Sequence, residues 1–75
     1  MRFGVFYELQ LPKPWDEDSE YRIVQEAIEQ VCIADRIGID CAWAVEHHFL
    51  DEYSHCSASD VFLSTLAAKT ERIRV

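Results

Sequence analysis

Glycine and proline are scarce in this chain, two of each in 75 residues, which excludes collagen-like repeats, flexible Gly-rich linkers and proline-rich ligand segments. Basic residues are also thin, seven Lys and Arg against fourteen Asp and Glu, for a formal net charge of -7. Arg2, Lys13, Arg22, Arg36, Lys69, Arg72 and Arg74 form no basic cluster, whereas a nucleic acid or anionic membrane needs clustered cations to displace counterions. Both kinds of partner are disfavoured. No apolar run approaches the roughly 20 residues of a membrane span, and residues 1–8 lack the basic and long apolar regions of a secretory signal. Cysteine offers no CxxC pair, only Cys32, Cys41 and Cys56, an odd number. Cys32 falls in a helical pattern and Cys41 in a strand pattern, where each reads as a small buried hydrophobe. Cys56, in a polar loop beside His55, is either a plain loop residue or the chain's one candidate reactive thiol. The expectation is a cytoplasmic protein without a structural disulfide.

What remains is the composition of a folded domain, 49% hydrophobic and 12% aromatic with no low-complexity tract. The length allows at most one small domain, near the size where a single core leaves little margin. Residues 2–8 read as a mostly buried strand. Gly4 inside it marks a close backbone approach or a need for a small side chain on one face. Residues 9–19 form a loop, because Pro12 and Pro14 bar a helix and Asp16, Glu17 and Asp18 are a solvated acidic run. Trp15 there either packs over a pocket or caps the core edge.

Over residues 20–37 the apolar period becomes helical, with Val24, Ala27, Ile28, Val31 and Ala34 on one stripe and Gln25, Glu26, Glu29 and Gln30 on the wet side. Asp18 or Ser19 can cap its start, and Arg36 then Gly38 mark its end. Residues 40–45 form a second, short strand. A polar and aromatic loop over residues 46–58 leads to a second helix. Ser57-Ala58-Ser59-Asp60 has capping-box spacing there, and Phe62, Leu63, Leu66 and Ala67 recur at helical intervals up to Lys69-Thr70. Residues 72–75 open a third strand.

Strand, helix, strand, helix, strand implies a parallel sheet built by right-handed βαβ crossovers, with both helices on one face. The other face is left bare, and it calls for more chain or another copy of this one.

The feature that points to chemistry is Ala42-Trp43-Ala44-Val45-Glu46-His47-His48-Phe49, an apolar strand that breaks into a carboxylate, two imidazoles and an aromatic ring. In parallel α/β folds the residues just past a strand's C-terminal end carry the chemistry. If Glu46 to His48 continue as strand, neighbouring side chains diverge, so only one histidine faces the site, and His48 is taken as the structural one. Glu46, His47, His48, Asp51, Glu52, His55 and Cys56 crowd together, but the i, i+4 spacing of a zinc protease motif is absent. A solvated loop is the better reading than a metal site.

Four blocks carry a resemblance: Met1-Arg2-Phe3-Gly4-Val5-Phe6, Ala34-Asp35-Arg36-Ile37-Gly38-Ile39-Asp40, Trp43-Ala44-Val45-Glu46-His47-His48-Phe49, and Leu66-Ala67-Ala68-Lys69-Thr70-Glu71-Arg72-Ile73-Arg74. In that order and spacing the chain resembles the N-terminal portion of the bacterial luciferase-like, flavin-dependent monooxygenases. The resemblance implies a (β/α)8 TIM barrel of about 250 residues, of which residues 1–75 would be the first quarter, an incomplete domain. It implies oxidoreductase chemistry in which reduced FMN, or the deazaflavin F420 in a sister branch, binds at the C-terminal mouth and O2 oxygenates a small organic substrate. Carried over by position, His47 is the proton-transfer residue near flavin and substrate, Glu46 shapes the same mouth, and Phe6 lines it. Ser59 stands where the family often has proline, a harmless change if Ser59 caps a helix. The loops after strands 7 and 8, which commonly hold phosphate in such barrels, are not among these residues. By itself the chain is expected to be catalytically incompetent. The alternative expectation is a non-enzymatic barrel fragment that forms a homo-oligomer or complements another chain.

Overall fold

The computed structural model describes all 75 residues, in the order β1 (Gly4–Tyr7), α1 (Ser19–Ile37), β2 (Cys41–Ala44) and α2 (Ser59–Lys69). β1 and β2 pair in parallel, Gly4 opposite Cys41 and Phe6 opposite Trp43. The third strand is reduced to one parallel bridge between Arg74 and Cys41. Around it, the Ala42 N–H donates to Arg74 O at 2.8 Å and the Arg74 N–H to Asp40 O at 3.0 Å. The expected strand order is therefore present, with strands shorter than the apolar runs that encode them.

α1 matches its predicted stripe. Ala27, Val31 and Ala34 are buried, with Val24 and Ile28 packed at the margin. Its end is a Schellman turn: Gly38, at φ 93°, donates to Asp35 O at 3.3 Å, and Ile39 donates to Ala34 O at 2.9 Å. Its start departs from expectation. Asp18 occupies the cap position without a side-chain bond, and Asp16 ties the approach to the first turn instead. The Asp16 carboxylate accepts the Asp18 N–H, the Ser19 hydroxyl and the Arg22 guanidinium, and these bonds, that to Arg22 foremost, lower the pKa of Asp16.

α2 buries Phe62 and Leu66, with Leu63 half-buried, while Ala67 is exposed. The capping box does not form, because Ala58 holds the cap position and its methyl cannot accept a hydrogen bond. Both helices pack on one face of the sheet, where Val5, Tyr7, Ala42 and Ala44 meet Val31, Phe62, Leu66 and Ile73. On the opposite face Phe6 and Trp43 stand 60% and 62% exposed, as the element order required. A Cβ on Gly4 would lie 3.4 Å from the Trp43 indole, ordinary van der Waals contact, so Trp43 lies close over this glycine without a clash that excludes alanine.

Asp35, in the last turn of α1, fixes the route from α2 to the third strand. Its buried carboxylate accepts the backbone N–H groups of Ile73 at 2.8 Å, Arg72 at 2.9 Å and Glu71 at 3.1 Å. Those bonds hold its pKa below the usual carboxylate value. No helix is long and apolar enough to cross a membrane.

Candidate active site

The chemistry-bearing residues gather past the C-terminal ends of β1 and β2. β1 ends at Tyr7, and Glu8 is the next residue. β2 ends at Ala44, so Glu46 to His48 are loop, in keeping with the loop read over residues 46–58. The two histidines nonetheless diverge. His47 turns inward, with Nδ1 3.9 Å from Glu8 Oε2, while the more exposed His48 places Nε2 3.3 Å from Glu46 Oε2. The His47 N–H donates to Cys56 O at 2.8 Å, and its ring meets Tyr53 edge-on.

Glu46, in the loop just past β2, has its carboxylate engaged. It accepts the Ser59 N–H at 2.9 Å and the Ser59 hydroxyl at 3.2 Å, capping α2 from the preceding loop. The Ser59 N–H first, then His48 and the Ser59 hydroxyl, lower its pKa. An anion at a helix N-terminus is favoured by the dipole as well. Ser59 thus serves the helix start as a donor to Glu46.

A cleft of about 290 Å³ opens beside His47, lined also by Trp15, His48, Phe49 and His55. Trp15 therefore packs over a pocket. Its Nε1–H donates to Leu11 O at 2.7 Å, and its ring meets His55 edge-on at 5.2 Å. His55 is held by Glu20, which lies 2.6 Å from Nδ1. The loops past β1 and β2 are stitched together by backbone bonds and by the Ser54 hydroxyl. Ser54 Oγ donates to Glu8 O at 2.6 Å, the His55 N–H to Leu9 O at 3.0 Å, and the Leu11 N–H to Glu52 O at 2.9 Å. Lys13 adds a backbone bond to the Glu52 carboxylate and an ion pair with Asp51 at 3.1 Å.

The luciferase-like monooxygenase profile matches residues 1–75. The chain belongs to the luciferase-like monooxygenase family. Among solved structures, the crystal structure of apo-MsnO8 superposes with a TM-score of 0.82 at 26% identity, over 99% of this chain and 21% of that one. The chain spans about a fifth of that relative's length. No curated protein sequence matches it.

Of the residues predicted for this luciferase-like chain, His47 lines the cleft, Glu46 lies in the loop past β2 outside its lining, and Phe6 stands on the open sheet face beside Trp43. Glu8 was missed. Its signal was available, since a carboxylate in the first position past an apolar strand obeys the same strand-end rule that singled out His47. Of the two readings of Cys56 the plain loop residue holds: it is buried in the core, and desolvation raises its thiol pKa, the opposite of a reactive cysteine. Cys32 and Cys41 are only half-buried. No three His, Cys, Asp or Glu side chains assemble into a metal-ligating group.

Proposed function

We propose that residues 1–75 are the N-terminal part of a flavin-dependent monooxygenase, the opening βα units of a (β/α)8 barrel whose mouth is the cleft beside His47. The observation that carries this reading is the half-buried His47 at the C-terminal strand ends of a chain in the luciferase-like family. Strand-end side chains on a rigid scaffold are where barrel enzymes hold their reacting groups.

The residues present suit a flavin ring system. Phe6 and Trp43 offer exposed aromatic surface on the open face. They do not suit a phosphate, since the cleft lining contains no Lys or Arg. Phe6 and His47 would contact the ring, with reduced FMN the preferred cofactor and F420 the alternative. Reduced flavin, when bound, would supply the electrons that activate O2. His47 moves a proton between the reacting groups and its imidazole, a ring with one nitrogen that donates and one that accepts. Glu46 keeps the loop and α2 in register so that His47 does not wander. Alone, the chain lacks the enclosure that preorganises a cofactor, and it turns over no substrate. Its cysteines and composition fit the cytoplasm.

The exposed Phe6–Trp43 face favours a second reading, in which the isolated chain associates with itself or with a complementing chain. Anaerobic titration with reduced FMN, and in parallel with reduced F420, tests the first. A change in flavin absorbance that is lost in Phe6→Ala supports it. An unchanged spectrum at saturating flavin overturns cofactor binding by these residues, and O2-dependent product from the chain alone overturns the claimed incompetence. Sedimentation showing a folded monomer overturns the second reading.

A further inference from the structure

Each of the three histidines is paired with a glutamate, and the pairs are not equivalent. His48 and Glu46 are both largely in solvent, and His55 is buried against a Glu20 that is 73% exposed. Only Glu8 and His47 are both mostly withdrawn from water, their side chains 22% and 33% exposed. The buried side-chain atoms left without a hydrogen-bond partner are Glu8 Oε2, His47 Nδ1 and His55 Nε2. The first two face one another at 3.9 Å. Buried polar atoms in folded proteins are nearly always satisfied, and an exception calls for an explanation.

We propose that Glu8 is the positioning residue of His47: its carboxyl oxygen accepts the Nδ1–H and thereby fixes the tautomer that leaves Nε2 unprotonated toward the cleft. This rests on the reading of His47 as the proton-transfer group and says which of its nitrogens does the work. In a neutral imidazole one nitrogen donates and the other accepts, and the bond made by one sets the role of the other.

Nothing else nearby competes for Nδ1. The Tyr53 ring is edge-on to the imidazole, and Glu46 is held by Ser59 and His48. Both backbones are pinned, His47 through its N–H to Cys56 O at 2.8 Å and Glu8 through its carbonyl to Ser54 Oγ at 2.6 Å. Closing the gap to hydrogen-bond length needs side-chain rotation and no backbone movement. Such bonds are commonly long in a free site and tighten when the reacting group is in place. With Nδ1 turned to Glu8 and the ring lining the cleft, Nε2 is the nitrogen available to take a proton.

The experiment is a long-range proton–nitrogen correlation spectrum of the 15N-labelled chain, at a pH where the imidazoles are neutral. His47 is assigned by the signals missing in His47→Gln. The wild type and Glu8→Gln, whose amide oxygen still accepts, show the Nδ1–H form at His47. Glu8→Leu reverts His47 to the Nε2–H form that free imidazole prefers, with His48 and His55 unchanged. A wild-type His47 in the Nε2–H form overturns the proposal, as does an Nδ1–H form that persists in folded Glu8→Leu. Should Glu8→Leu not fold, the wild-type spectrum decides. No flavin or substrate is in the sample, so failure here is distinct from failure of the monooxygenase reading.

Discussion

Leu66 and Ala67 are neighbours that an apolar pattern treats alike, and the structure separates them. Leu66 is fully buried in α2 and Ala67 faces water. Truncating Leu66 to alanine removes three carbons' worth of buried surface, about 2 kcal/mol of transfer free energy at ~0.8 kcal/mol per methylene. The core around it is Val31, Phe62, Ile73 and Ala42, drawn from both helices and both sheet positions. They cannot all collapse inward, so a cavity term adds to the loss and brings the total to about 3–4 kcal/mol. A chain of this size commands only about 3–5 kcal/mol from a single core. Leu66→Ala is therefore expected to leave a large unfolded fraction in water, whereas Ala67→Lys shifts stability by no more than about 0.5 kcal/mol. Urea unfolding followed by the fluorescence of Trp15 and Trp43 measures both. Equal shifts from the two substitutions, or a Leu66→Ala loss under about 1 kcal/mol, would refute the packing described for α2.

Gly38 sits at φ 93° with no atom within 4 Å of an added Cβ. Gly38→Ala therefore meets backbone strain alone and costs about 1 kcal/mol in the same urea assay; an unchanged midpoint contradicts the left-handed turn. Acid should unfold the chain through Asp35 and Glu46, whose pKa values are lowered by bonds to Ile73 and Ser59 foremost. A lowered folded value contributes stability that is complete above the ordinary carboxylate pKa of about 4 and is lost as pH falls through the folded value. Urea midpoints are expected to drop below that pH and to drop less in an Asp35→Asn, Glu46→Gln double variant. A midpoint that holds or rises on acidification runs against both assignments.

Periodicity carried most of the fold. The stripe from Val24 to Ala34 and the order of elements were legible because each depends on local pattern and on the handedness of crossovers. Capping was not. Asp16 and Glu46 reach helix starts from outside the usual cap positions, and such contacts depend on where a loop returns in space. Between the two readings of Cys56 only the fold could decide, because a polar neighbourhood in sequence became a buried position in three dimensions. At the site, His47 was found through a strand-end rule and a resemblance. Glu8, whose partner is 39 positions away by the difference of their numbers, needed the fold to bring the two together.

Two of the bonds that join the loops past β1 and β2 run from backbone to backbone, Leu11 N–H to Glu52 O and His55 N–H to Leu9 O, beside side-chain links from Ser54, Glu52 and Lys13. Backbone partners are indifferent to the identity of the side chains above them, but not to the number of residues between them. Descendants of this sequence can therefore exchange the side chains at Trp15, Phe49 or Tyr53, and so change what the cleft admits, without disturbing the seam. An insertion or deletion in either loop would break that seam unless the other loop changed with it. Over evolutionary time the mouth is free in chemistry and constrained in length.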